Sequence, residues 1–158
     1  MLPSRYFAEL TQPEIAAQLK RNPLVILPAG SIEQHGPHLP TGTDTLAANV
    51  IAHAVAERMD GLVLPSTPLG VTPMHMPFEA TITLTPDTYM RVVTETCVST
   101  AKHGAKYLLI LNWHEGNIAI AVVYAALRSI ESNGQAVRIA DVIAEAHARV
   151  AERMSHVA

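Results

Sequence analysis

The chain has a single cysteine, Cys97, among 158 residues, so no disulfide can close within it, which fits a reducing compartment. Aromatic residues make up 4% of the chain and charged residues 16%. There is no basic run and no interleaving of basic with aromatic side chains, so the footprint of a nucleic-acid-binding surface is missing. No apolar stretch reaches the roughly 20 residues that cross a bilayer. The first five residues, MLPSR, lack the apolar core of a signal peptide. These absences make a cytoplasmic location the expectation, with neither nucleic acid nor membrane as partner. What is present is 49% hydrophobic, with a net charge of -3 and eight histidines outside that count. Such a balance suits one domain with a sizeable buried core.

The hydrophobic pattern alternates between two periods. Residues 11–21 read as a helix, with Thr11 at its N-cap and Pro13 and Glu14 in the first turn. Residues 24–27 form a continuous apolar run, the mark of a strand buried on both faces. Residues 45–59 read as a helix, with Leu46, Val50 and Ala54 on one stripe and Ala47, Ile51 and Val55 beside it. Asp60 and Gly61 stop it. Short strands are expected at 62–65 and 81–84, helices at 85–103 and 118–132, further strands at 107–111 and 136–140, and a last helix from Asp141. Helix, glycine stop and apolar strand recur three times, at Gly61, Gly104 and Gly134. The expected fold class is therefore α/β: a mostly parallel sheet with helices on both faces.

Two of these strands end in polar clusters. Residues 28–44 carry Glu33, His35, His38 and Asp44 in a frame of Gly30, Gly36, Pro37 and Pro40, which keeps them out of regular structure. Residues 112–117 carry Asn112, His114, Glu115 and Asn117. In a parallel sheet both ends lie at the carboxyl edge, where open α/β sheets bind ligands, so the two clusters can converge. Carboxylates and imidazoles gathered on one rim are a donor set for a divalent cation. With Asp44 able to bridge, the set suffices for two ions, which would polarise a carbonyl and supply hydroxide near neutral pH.

Simpler roles compete. Taken alone, Asp44 reads first as the N-cap of the helix that follows, and His38 as a structural histidine bonded to backbone. His53, His103, His147 and His156 suit packed or solvated helix positions. Met74 and Met76 suit pocket lining, and Cys97 a buried, inert thiol. Glu33 and His35 have no helix or ion-pair pattern to account for them.

Residues 30–40 (GSIEQHGPHLP), followed by Gly42, Thr43 and Asp44, closely resemble the first motif of the creatininase (creatinine amidohydrolase) family. Residues 112–117 (NWHEGN) resemble its second motif, usually Asn-Gly-His-Gly-Gly-Asn. Residues 75–84 (HMPFEATITL) resemble the segment between, usually His, an aromatic, then Pro-Gly-Thr-Ile-Thr-Leu. The resemblance implies a Rossmann-like, creatininase-type layered domain and a dinuclear metal hydrolase, with Zn2+ first and Mn2+ or Fe2+ at a second site. It implies a small-molecule amide substrate, whether a cyclic amide, a formamide or a short peptide, and a homo-oligomer, often a hexamer. Carried over by position, Glu33 and His35 each bind one metal, Asp44 bridges, and His114 completes the site that holds Glu33.

The departures shape the expectation further. Trp113 stands where the family has Gly, Gly116 where creatininase has a Glu ligand, and Glu79-Ala80 where Pro-Gly is usual. The later His-Ala-Gly-Glu-x-Glu-Thr-Ser segment does not occur before Ala158. A single domain over residues 1–158, short at its C-terminal side, is therefore expected. One metal shell is therefore expected to be incomplete, to be rescued by Glu115, or to be completed from another chain. His75 and Glu115 are the candidates to protonate the leaving nitrogen. The rival expectation is a metal-binding or assembly protein without turnover.

Overall fold

The computed structural model describes residues 2–117. The first helix, α1 (Gln12–Arg21), has Thr11 at its N-cap and Pro13 in its first turn. The Thr11 N–H donates to the Glu14 carboxylate at 2.8 Å, satisfying a backbone donor at the helix start. Strand β1 (Leu24–Ala29) follows, then α2 (Thr43–Met59), β2 (Leu62–Val63), α3 (Pro86–Lys102) and β3 (Tyr107–Asn112). Among the described residues the sheet has the order β2-β1-β3, and both pairings are parallel.

The central strand β1 is buried along its whole length and alternates between two cores. Val25 and Leu27 pack with Leu19 of α1 and with Tyr89, Met90, Val93 and Cys97 of α3. Ile26 packs on the opposite side with Ala52 and Ala56 of α2 and Val63 of β2. Helices therefore cover both faces, as the continuous apolar runs imply. Cys97 is fully buried, and burial pushes its thiol up to about 12, which makes it inert near neutral pH.

Several details differ from the sequence expectation. Helix α2 starts two residues earlier, at Thr43, so its N-cap is Gly42 and Asp44 lies inside the first turn. Its buried face is Asp44, Ala48, Ala52 and Ala56, while Leu46 and Val50 of the expected stripe are 59% and 70% exposed. The cause is proximity. A Cβ on Gly30, just past β1, would lie 2.4 Å from the Thr45 Cα, so the helix start presses against the strand end and only small side chains fit beneath it. Residues 81–84 form no strand. Ile82 and Thr83 each make one isolated bridge, to Ile32 and to Gly70, and the left-handed Ala80 (φ 64) turns the chain just before them. The strand expected over 62–65 is only Leu62–Val63.

Strand β3 runs one residue further than expected, to Asn112, and among the described residues Tyr107 and Leu109 stay exposed. The expected elements at 118–132, 136–140 and beyond, with the third helix–glycine–strand unit, His147 and His156, lie outside the described residues.

Candidate metal centre

The parallel register β1–β3 ends with Ala29 opposite Asn112, so the segments that follow both strands leave the same sheet edge. Asn117 fastens them together. Its amide donates to the Gly30 carbonyl at 2.9 Å and to Asn112 Oδ1 at 3.2 Å, and its Oδ1 accepts from the Val71 N–H at 3.0 Å. Asn112 in turn donates to the His114 carbonyl at 2.7 Å. These two asparagines of the second cluster are the clamps of the site. There is no room to loosen them at Gly70, where a Cβ would lie 2.6 Å from Asn117 Oδ1.

The clamped edge brings together Glu33, Asp44 and His114, all buried, with one ligand atom of each within 4.8 Å of the others. His114 Nδ1 lies 2.9 Å from Asp44 Oδ2 and 3.4 Å from Glu33 Oε1. His35 Nε2 lies 3.2 Å from the other Asp44 oxygen, Oδ1. The Asp44 carboxylate thus stands between His35 on one side and the Glu33–His114 pair on the other. The N-cap reading of Asp44 is overturned, because its side chain faces imidazoles rather than the helix backbone.

Proton positions follow from the outer nitrogens. His114 Nε2 is 3.2 Å from the Val71 carbonyl and His35 Nδ1 is 3.1 Å from the Glu33 carbonyl. A carbonyl only accepts, so each outer nitrogen holds the ring proton, and each inner nitrogen of a neutral ring presents a lone pair. Those lone pairs point at carboxylate oxygens, acceptor against acceptor. Asp44 Oδ2 is buried and has no hydrogen-bond partner among the described residues. Its short approach to His114 is no hydrogen bond when that nitrogen has no proton to give. With both rings neutral, two imidazole lone pairs and two carboxylates converge, a donor set that fits a divalent cation. Backbone carbonyls fixing the outer N–H are the usual support of such ligands.

The remaining residues divide clearly. His75 lines the same cavity, its Nδ1 3.9 Å from Glu33 Oε2 and 3.2 Å from Gln34 Nε2. Glu115 lines it too, but it is exposed, starts the short 3-10 turn Glu115–Asn117 and stays outside the Glu33–Asp44–His114 group. Gly116 leaves no room for any side chain: a Cβ would lie 2.1 Å from the Val71 carbonyl and 2.6 Å from His114 Nε2. His38 is exposed beside the Gly36 turn, His53 stacks on Tyr6 at 5.0 Å, and His103 caps α3. Met74 is exposed at the cavity rim and Met76 is exposed as well.

Two residues escaped the sequence reading. Thr72 is buried, and its hydroxyl donates to Glu33 Oε2. Gln34 reaches His75. Both are ordinary polar residues in irregular segments, and only the position of Gln34 between Glu33 and His35 could have drawn attention to it. The cavity over the cluster holds about 420 Å3, with Trp113 and Met74 among its walls.

Comparison with known proteins agrees with the two motifs. The family described as creatinine amidohydrolase matches residues 8–157. The chain is 34% identical over 122 residues to a mycofactocin precursor peptide peptidase of Mycobacterium ulcerans, covering 72% of this chain and 48% of that protein. It is 31% identical over 142 residues to the creatinine amidohydrolase of Pseudomonas putida, covering 85% and 55%. It thus spans about half the length of the curated relatives it matches. Among solved structures, one described as creatininase Mn superposes with a TM-score of 0.76 at 29% identity, over 83% of this chain and 54% of that one. A mutant creatininase described as Zn-Zn type gives 0.76 at 29% over 84% and 55%. The sequence match over residues 8–157 and the shared parallel sheet establish that this chain belongs to the creatininase family.

Proposed function

We propose that the protein is a metal-dependent amidohydrolase that cleaves a C–N amide bond. The observation that carries this reading is the convergence of two imidazole nitrogens, His35 Nε2 and His114 Nδ1, on the Asp44 and Glu33 carboxylates. Glu33, Asp44 and His114 would hold one ion, and Asp44, which also faces His35, would be shared with a second. A divalent cation bound there would polarise a substrate carbonyl and lower the pKa of water. Thr72 holds the Glu33 carboxylate in place, and the Val71 and Glu33 carbonyls hold the two imidazoles. Trp113 and Met74 give the cavity an apolar wall, while Glu115 and His75 give it polar groups near the substrate.

The relatives include a peptide peptidase and a creatinine amidohydrolase, and that range supports an amide substrate without choosing between a peptide, a formamide and a cyclic amide. Zinc or manganese is the expected ion, in line with the descriptions of the two solved structures. A homo-oligomer is the expected assembly, which sedimentation equilibrium at micromolar concentration would check. No helix among the described residues is long and apolar enough to cross a membrane.

A second reading, a metal-binding family member without turnover, is favoured by one observation: Gly116 offers no ligand and its site admits none. Metal analysis by plasma mass spectrometry, together with a panel of creatinine, a formamido-pyrimidine and short peptides, separates the two. Two ions per chain with turnover of a panel amide support the hydrolase. One ion or none, with no turnover, supports the rival.

A further inference from the structure

We propose that His75 serves this site as a neutral hydrogen-bond donor, through Nε2–H, to the oxygen of the substrate carbonyl, and that Gln34 is the positioning residue that holds it in that tautomer. This deepens the amidohydrolase reading and rests on it. The chain of hydrogen bonds starts at the backbone. The Gly36 N–H can only donate, and it lies 3.0 Å from one end of the Gln34 side-chain amide, so that end is Oε1. The other end is therefore NH2, and it lies 3.2 Å from His75 Nδ1. An amide NH2 cannot accept, so Nδ1 carries the lone pair and the ring proton sits on Nε2. Glu33 does not compete for Nδ1. Its Oε2 is 3.9 Å away, beyond hydrogen-bond distance, and already accepts from Thr72. Gly36 itself sits at φ 70, in the left-handed region that glycine occupies without cost. The turn that aims its N–H at Gln34 is thus set by a residue suited to it.

The consequence is chemical. A neutral imidazole that surrendered Nε2–H would become imidazolate, so His75 lends a hydrogen bond and does not transfer a proton. No bond to hydrogen breaks: the N–H···O contact strengthens as charge builds on the carbonyl oxygen. The ring lines the same cavity as Glu33, Asp44 and His114, so a carbonyl drawn to that cluster would come within the cavity that His75 helps to wall. His75 is thereby moved out of the proton-donor role, and the leaving nitrogen takes its proton from another group.

Protein labelled with 15N-histidine, metal-free and Zn2+-loaded, tests the relay by long-range proton–nitrogen correlation at neutral pH, with His75 assigned from its loss in His75→Gln. Native His75 should show Nδ1 unprotonated and Nε2 protonated. Gln34→Glu, whose carboxylate accepts where the amide donated, should place a proton on Nδ1. A native ring protonated at Nδ1 or at both nitrogens overturns the proposal, and so does an unchanged pattern in Gln34→Glu. Kinetics on the fastest panel amide test the role. His75→Ala should lower kcat by about 10²–10³-fold with KM nearly unchanged. His75→Gln, which keeps an N–H donor but no transferable proton, should retain at least about a tenth of native kcat. Equal inactivity of the two at full metal content overturns the hydrogen-bonding role. No turnover of any panel amide by metal-loaded native protein removes the amidohydrolase reading and the carbonyl role with it. The nitrogen pattern distinguishes that failure from a failure of the relay.

Discussion

Helices α2 and α3 each have 17 residues and cover opposite faces of the same strand, yet they are built on opposite plans. Helix α3 buries Tyr89, Met90, Val93 and Cys97; it fills space. Helix α2 buries three alanines and one carboxylate and leaves Leu46 and Val50 in the open; it closes distance. A helix seated on alanines lies nearer the sheet than one seated on a tyrosine and a methionine. At this sheet edge the nearness is what sets Asp44 beside His35 and His114. The face that supports the fold and the face that supports the chemistry are thus separate, and substitutions can address them one at a time.

The largest expected effect is on the chemical face. Asp44→Asn should lower metal affinity by at least about 100-fold, more than the loss of an outer partner of a ligand costs, while far-UV circular dichroism and the urea midpoint stay close to native. Because Gly42 is the N-cap, the variant loses no cap. Equilibrium dialysis with Zn2+ measures the affinity, and an unchanged value would remove Asp44 from the centre. On the other face, Met90→Ala should cost about 2–5 kcal/mol, as deletions from a packed core do, with metal affinity unchanged. Between these lies Ala52→Leu, which forces bulk into the α2–sheet gap and should cost about 1–3 kcal/mol. Leu46→Gln, on the solvent side of the same helix, should stay within about 0.5 kcal/mol. If urea titration showed Leu46→Gln to be the costlier of the two, the close-seated reading of α2 would be wrong.

Much of this arrangement was legible in the residues. The N-terminal Thr and Glu of α1, the unbroken apolar run of β1 and the Thr-Pro start of α3 each have a local cause, and local causes are readable from sequence. Glu33 and His35 stood out because no local cause explained them. The buried face of α2 is not legible from hydrophobicity, because the gap beneath it is set by Gly30 against Thr45, two residues from different elements. Residues 81–84 have the β-branched composition of a strand, but among the described residues no neighbouring strand offers them a continuous ladder. Thr72 and Gln34 carry no periodic signal; their roles exist only once Glu33 and His75 have been brought near them.

The segment that leads into α3 offers a smaller effect. Ala80 holds φ 64, a conformation that costs an L-residue roughly 1–2 kcal/mol, at the position where the family usually has glycine. Ala80→Gly relieves the strain but adds freedom to the unfolded chain. A net gain of about 0.5–1 kcal/mol is expected from thermal or urea unfolding. A loss instead would mean that the Ala80 methyl makes a contact worth more than the strain.

The smallest expected effect contrasts the two helix ends. Helix α3 runs out through His103 to Gly104 at φ 107, whereas α2 ends on Asp60, left-handed at φ 55. Asp60 serves both as backbone and as charge. Its carbonyl accepts from the Gln18 and Asn22 side chains, and its carboxylate from Arg5 at 2.7 Å and Arg21 at 2.8 Å. The Arg5 hydrogen bond, opposed by some desolvation, holds its carboxyl below the usual aspartate value. A carboxyl lowered in the folded state stabilises that state above its unfolded pKa of about 4, and the contribution fades as pH falls through the folded value. Asp60→Asn keeps a residue that tolerates the left-handed conformation and removes only the charge. Native protein should therefore be slightly more stable than the variant at pH 7, and the difference should shrink steadily below about pH 4. Because the carboxylate is 40% exposed, added salt should narrow the gap at pH 7 as well. Urea midpoints of the two proteins at pH 7 and pH 3, in low and high salt, provide the measurement. A gap that persists undiminished at pH 3 and in high salt would show that the difference between the two proteins does not come from the Asp60 charge.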